Sequence, residues 1–181
     1  HDTVIEELQN MLELKTIYNS YDIINATIVN RNVGHWYQTL TIDKGDSDHI
    51  EEGLAVVTDK GLVGKITKVS KYSSSVKLLT NTSELFQVAV LIDNEGENVF
   101  GILSEYKDNK FIIRGLSYNK EIKPGSTVTT SGLDNIFPPD LLIGKVESVQ
   151  KDNYDLEQIV SVEANNNFDD IKYVAILKRV E

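Results

Sequence analysis

His49, Asp93 and Ser131 follow one another along the chain in an order that a base, its carboxylate partner and a nucleophilic serine can take. A serine of that chain order needs a Gly-Asp-Ser-Gly setting, whose backbone N–H groups hold the oxyanion, but Thr129 and Thr130 precede Ser131. Ser74 and Lys77 give a Ser-x-x-Lys match without the companion motifs of that chemistry. Gly64-Lys65 and Gly144-Lys145 lack the glycine five residues earlier that a phosphate loop requires, and no Ser or Thr follows either lysine. The stretch "DKGDSDHIEEG", 43–53, is rich in carboxylates. Counted from Asp46 as a calcium loop, however, Glu51 stands where glycine is needed. His1, His35 and His49 do not have zinc-ligand spacing. The sequence therefore assigns no catalytic, cofactor-binding or metal site; Ser131 and Gly132 read as a strand end and a turn.

The composition narrows what such a chain can do. Its 181 residues hold one ordinary domain or two small ones, and 40% apolar with 25% charged residues is ordinary for a folded protein. A net charge of −10 argues against nucleic acid or an anionic membrane surface as a direct ligand. Without cysteine there is no disulfide or thiolate site. The longest apolar run, "LFQVAVLI" at 85–92, is too short to cross a bilayer. A chain that begins with His1 reads as a fragment or processed product, with any membrane anchor upstream.

Two kinds of element must position whatever function there is. Residues 1–21 lack Gly and Pro, and Thr3 with Glu6 fits a capping box. Val4, Leu8 and Met11 share a stripe with Tyr18, and Ile5 and Leu12 lie beside it. This is a helix, either packed on its own domain or forming the end of a coiled coil that dimerises through Val4, Ile5, Leu8, Met11 and Leu12. From Ile23 onward twelve short β-rich runs alternate with turn clusters such as "DNEGEN" and "YKDNK". The expected fold is all-β with an N-terminal α-helix.

An internal repeat suggests how the strands divide. "IEEGLAVVT" (50–58) aligns with "IKPGSTVTT" (122–130), and each copy leads into a Gly-Lys-Ile or Gly-Lys-Val strand, the second after eight extra residues. Two six-stranded barrels follow, expected over 22–97 and 98–181. The alternative joins 22–72 to 139–181 as one barrel, with 73–138 inserted as the other. The extra residues include Phe137-Pro138-Pro139, a rigid connector whose neighbours Leu133 and Ile136, with Phe137, are expected to pack between the two units. Two such barrels also leave open a chymotrypsin-like hydrolase with a degenerate active site, although the missing oxyanion glycine weighs against it.

The residues "WYQTLTIDKGDSDHIEEGLAVVTDKGLVGKI" and "IKPGSTVTTSGLDNIFPPDLLIGKVESV" together resemble the extracytoplasmic region of MreC, a family of bacterial rod-shape-determining proteins. The matching positions include Trp36, Gly45, Gly53, Gly64, Ser131, Gly132, Phe137, Pro138 and Gly144; Asp134 and Pro139 depart from the pattern. The resemblance spans about residues 22–178. It implies a non-enzymatic, cofactor-free scaffold of the cell-elongation complex, with two β-barrels outside the membrane. A coiled coil and one transmembrane helix upstream would anchor it. It implies a homodimer, with assembly into filaments left open. The implied partners are MreB, MreD and the class B penicillin-binding proteins that build peptidoglycan.

Overall fold

The computed structural model describes residues 5, 6, 8–10, 13, 14, 18–32, 39–81, 87–117, 120–152, 154 and 157–180. The described residues between 5 and 14 are helical, and the Tyr18 N–H continues the pattern by bonding the Leu14 carbonyl at 2.8 Å. Twelve strands follow: β1 (Tyr21–Asn32), β2 (Thr39–Ile42), β3 (Ala55–Thr58), β4 (Gly61–Val69), β5 (Ser74–Leu78), β6 (Val88–Asn94), β7 (Glu97–Lys107), β8 (Lys110–Ser117), β9 (Thr127–Thr130), β10 (Leu142–Lys151), β11 (Glu157–Ala164) and β12 (Tyr173–Arg179). They close into two antiparallel barrels, β1-β12-β3-β4-β5-β2 and β10-β11-β8-β7-β6-β9. Closure leaves neither barrel an unpaired strand edge.

The barrels are not divided where the sequence placed the boundary. One compact unit comprises 1–79 with 167–181, and the other 80–166. The split at 97/98 is corrected: β6 belongs to the second barrel, and β12 returns to close the first, pairing from Tyr21↔Arg179 to Thr27↔Tyr173. The alternative also fails in detail, because β5 stays in the first barrel while β10 and β11 belong to the second. The physical reason is that β6 and β12 are interchangeable to the eye. Both are near-continuous apolar runs, "VAVLI" and "YVAIL". Matched strand by strand, β12, β1, β2, β3, β4 and β5 occupy the neighbour order of β6, β7, β8, β9, β10 and β11.

The repeat is reproduced atom for atom at its centre. Gly53 N–H bonds Ile66 O and Ile66 N–H bonds Leu54 O; Gly125 N–H bonds Val146 O and Val146 N–H bonds Ser126 O. Gly53 and Gly125 both have φ of 90°, a left-handed conformation that glycine adopts without strain. A Cβ on Gly64 would collide with the carbonyl oxygen of Lys77, and one on Gly144 with that of Glu163, so close strand approach demands glycine in both copies.

Alternation fills each interior. In β5, Ser74, Val76 and Leu78 are buried while Ser75 and Lys77 are half-buried on the outside. The first core collects Leu40, Ile42, Val56, Ile66 and Ile176; the second collects Val90, Ile92, Leu103, Phe111 and Val160. A six-stranded barrel has room only for side chains. The hairpins follow their turn clusters: Glu95-Gly96 and Asp108-Asn109 all have positive φ, as two-residue turns matched to strand twist require.

Outside the first barrel, Ala175 and Leu177 are buried although their neighbours Val174 and Ile176 are buried too, so both faces of β12 are covered. The helical segment lies on this unit: Leu14 is buried, Asn10 Nδ2 donates to Asp59 Oδ2 at 3.0 Å, and Leu8 lines a cavity with Ala26, Tyr173 and Val174.

Candidate functional site

Of the residues that could have formed a hydrolytic triad, Asp93 and Ser131 have side chains occupied in local structure, and His49 lies in a tight turn. His49 closes a 3-10 turn over Asp46–Asp48 in the left-handed region, and its carbonyl accepts from Lys178 Nζ at 3.1 Å. Asp93 Oδ1 accepts the Gly96 N–H at 3.0 Å inside the β6–β7 hairpin. Ser131 Oγ accepts the Leu133 N–H at 3.1 Å. Ser131 N–H bonds the carbonyl of Ala89, four residues along β6 from Asp93, which is about 13 Å of strand. Asp93 and Ser131 cannot act together.

The acidic stretch 43–53 is likewise a built turn. Asp43 Oδ1 accepts the Thr27 N–H, Asp48 Oδ2 accepts the Gly45 N–H, and Asp46 N–H bonds Ser70 O. Gly45 permits this because a Cβ there would strike the backbone of Ser70 and Ser73.

The loop 131–141 joins β9 to β10 and is fastened to the second barrel's own strands. Thr130 is fully buried; its hydroxyl donates to Pro138 O at 2.6 Å and accepts the Leu141 N–H at 3.0 Å. Asp134 accepts the N–H groups of Ala89 and Ile136. Gly132, with φ of 78°, lies against Pro139, which a Cβ would crowd at 3.0 Å. Phe137 is buried and Ile136 half-buried, but Leu133 is 73% exposed, so the expectation that it packs between the two units with the other two is corrected for Leu133. The Asp134 carboxylate and the left-handed Asn135 hold the turn open at that point, directing Leu133 outward.

Leu133 belongs to an apolar surface that the sequence reading missed. On the outer wall of the second barrel Leu91 stands opposite Phe100, and Ala89 opposite Ile102. Leu91 also faces Thr129, which in turn faces Leu142. Phe100 is 44% exposed. A shallow cavity of about 240 Å³ lies among Gln87, Ala89, Phe100, Ile102, Leu133 and Asp134. The signal was present in "NVFGIL": Val99, Gly101 and Leu103 point inward, yet Phe100 and Ile102, which point outward, are apolar as well.

Of the proposed dimerisation residues, Val4, Met11 and Leu12 lie outside the described residues, as does Trp36. Ile5 and Leu8 are 54% and 41% exposed.

The pattern of the family described as rod shape-determining protein MreC, barrel core, matches residues 28–178. The chain belongs to the MreC family. This is a family of non-enzymatic cell-shape proteins, in keeping with triad residues that are tied up in turns. The cell shape-determining protein MreC of Listeria monocytogenes is 34% identical over 176 residues, covering 96% of this chain and 59% of its own length. The chain thus spans about six-tenths of that relative. A solved Listeria MreC structure superposes with a TM-score of 0.81 at 31% identity, covering 99% of this chain and 89% of its own. The major periplasmic domain of a cell shape-determining filament MreC gives 0.77 at 27% identity, covering 89% of this chain and 98% of its own. The MreC of Helicobacter pylori, solved in complex with Penicillin-Binding Protein (PBP2), shares the fold at a TM-score of 0.60 and 18% identity, covering 87% of this chain and 100% of its own. No helix among the described residues is long and apolar enough to cross a membrane.

Proposed function

We propose that this chain is the extracytoplasmic part of a scaffold that organises peptidoglycan synthesis at the membrane, and that the second barrel docks a class B penicillin-binding protein through its apolar outer wall. The observation that carries the reading is the exposure of Phe100 and Leu133 beside Ile102 on a closed barrel without chemistry of its own. The Helicobacter MreC complex with PBP2 supports the class of partner. In this reading the whole protein is held by an upstream transmembrane helix, contacts MreD and MreB, and dimerises through the helix bearing Ile5 and Leu8, whose exposed apolar surface suits a second helix.

The test is direct binding of the purified chain to the soluble ectodomain of a class B penicillin-binding protein. Aromatic anchors near the centre of an interface dominate affinity, each worth about 2 kcal/mol or more. Phe100→Asp with Leu133→Asp should weaken binding by at least about thirtyfold, with the β circular dichroism retained because neither side chain is in the barrel interior. Equal affinity in parent and variant would remove the wall from the interface.

A further inference from the structure

The first barrel is closed by the strand that reaches it last. β12 lies between β1 and β3, and without it the remaining order β3-β4-β5-β2-β1 is an open sheet. The whole second unit, 80–166, stands in sequence between β5 and β12. β12 therefore docks from across a long loop, and the chain enters it through residues 167–172.

Arg31, one residue from the end of β1, is a charge on the inner face of a barrel strand. It stands opposite Leu40, which is buried, and directly opposed residues share a face of the ladder. The arginine is half-buried there, where a donor without an acceptor is costly. Among the described residues, its bonded acceptors both lie in the segment that leads into β12: Nη1 donates to Phe168 O at 3.1 Å, and Nη2 donates to Ile171 O. The segment is shaped to present them. The Asn167 side chain accepts the Asp169 N–H and its carbonyl accepts the Asp170 N–H, the side chains of Phe168 and Ile171 are buried, and Lys172 O accepts the Ile28 N–H at 2.9 Å. Departure of β12 takes both of Arg31's acceptors away at once, and seating β12 restores both.

We propose that Arg31 and residues 167–172 form a latch that controls whether β12 is seated, and so whether the first barrel is closed or open, while the second barrel stays closed in both states. The second barrel has no such dependence, because its six strands, β6–β11, are consecutive in sequence. The latch is a conformational device of the first barrel and stands or falls apart from synthase docking on the second.

The test is hydrogen exchange of the whole chain, read strand by strand by mass spectrometry. Arg31→Met keeps an unbranched side chain and removes the charged donors. It should speed exchange in β12 and β1–β5 by at least about tenfold, the equivalent of one charged hydrogen bond, and leave β6–β11 at the parent's rate. Arg31→Lys, which keeps a charged donor, should fall between Arg31→Met and the parent. The chain has no cysteine, so Thr27→Cys with Tyr173→Cys places a single disulfide across the opposed pair next to the latch. Such pairs lie about 4.5–5.5 Å apart, within disulfide reach. With the disulfide formed, Arg31→Met should return to the parent's exchange; with it reduced, the acceleration should remain. Parent-rate exchange of β12 in Arg31→Met overturns the proposal. So does equal acceleration in β6–β11, which would make Arg31 a contributor to stability at large. Acceleration that persists with the disulfide formed overturns it too, because the barrel would then be opening without release of β12.

Discussion

Removing one hydroxyl should loosen the loop that presents Leu133. Thr130 ends β9 fully buried and makes four hydrogen bonds to the far end of that loop. Its side chain bonds Pro138 O and the Leu141 N–H, its own N–H bonds Leu141 O at 2.9 Å, and its carbonyl accepts the Asp140 N–H at 2.9 Å. Thr130→Val keeps the β-branched shape and both backbone bonds but deletes the hydroxyl. The buried Leu141 N–H then lacks its acceptor, at about 1–3 kcal/mol, and the half-buried Pro138 carbonyl loses a bond worth about 0.5–1.5 kcal/mol. The expected loss is about 2–4 kcal/mol. Thr130→Ser retains the hydroxyl and removes one methyl group, at about 1 kcal/mol. Urea unfolding of the three proteins measures the differences. A loss near 3 kcal/mol also lowers the melting temperature by roughly 6–12 °C at this chain length. If valine proves no worse than serine, or lies within about 0.5 kcal/mol of the parent, the hydroxyl is not what holds the loop.

Two further outcomes follow from other parts of the molecule. Because the folded state lowers the pKa of Lys77, the unfolded chain holds that proton more tightly; the charged lysine therefore subtracts stability at neutral pH, and the deficit fades as pH rises toward the ordinary value of 10.5. Lys77→Gln should thus be more stable than the parent at neutral pH, by a margin that shrinks with rising pH in paired denaturation curves; a constant margin contradicts this. A chain ending at Asn166 lacks β12 but keeps 80–166 whole, so hydrogen exchange should find β6–β11 protected and β1–β5 open; protection retained in β1–β5 would show that the first barrel closes without its last strand.

The strands and turns were legible because each depends on nearby residues. Asp108-Asn109 and Glu95-Gly96 announce two-residue hairpins, and Gly64 and Gly144 announce close backbone approach. Strand partnership is a long-range property, and there the sequence offered two equally good answers. "VAVLI" and "YVAIL" both suit a strand covered on two faces, and nothing local says which barrel either one closes. The chain chooses the distant partner, Tyr21 with Arg179, so the residues of the second barrel are inserted in sequence between β5 and β12 of the first. The repeat survived this because its defining bonds, Gly53 to Ile66 and Gly125 to Val146, lie within neighbouring strands.

The candidate surfaces were harder to read for a different reason. An active site advertises itself by residue types in fixed spacing, and when the triad failed the sequence offered no second signal of that kind. A binding wall is made of ordinary residues, and its meaning lies in which of them end up side by side. Leu91 and Phe100 are nine positions apart, and Lys65 and Lys77 twelve, yet each pair is directly opposed once the ladder is formed. Only register converts a scattered Phe or Lys into a patch, and a slip of one residue would turn the apolar wall inward and the core outward. The bulge between Leu103 and Glu105, and those between Ile66 and Lys68 and between Val146 and Ser148, show that the register shifts part-way along these strands. The two barrels share one strand plan and two glycine positions, Gly53 with Gly125 and Gly64 with Gly144, so their shared sequence specifies the scaffold. What distinguishes them is the outward half of each strand, Lys65 and Lys77 on one and Leu91, Phe100 and Ile102 on the other, and only the register of each ladder brings those residues side by side.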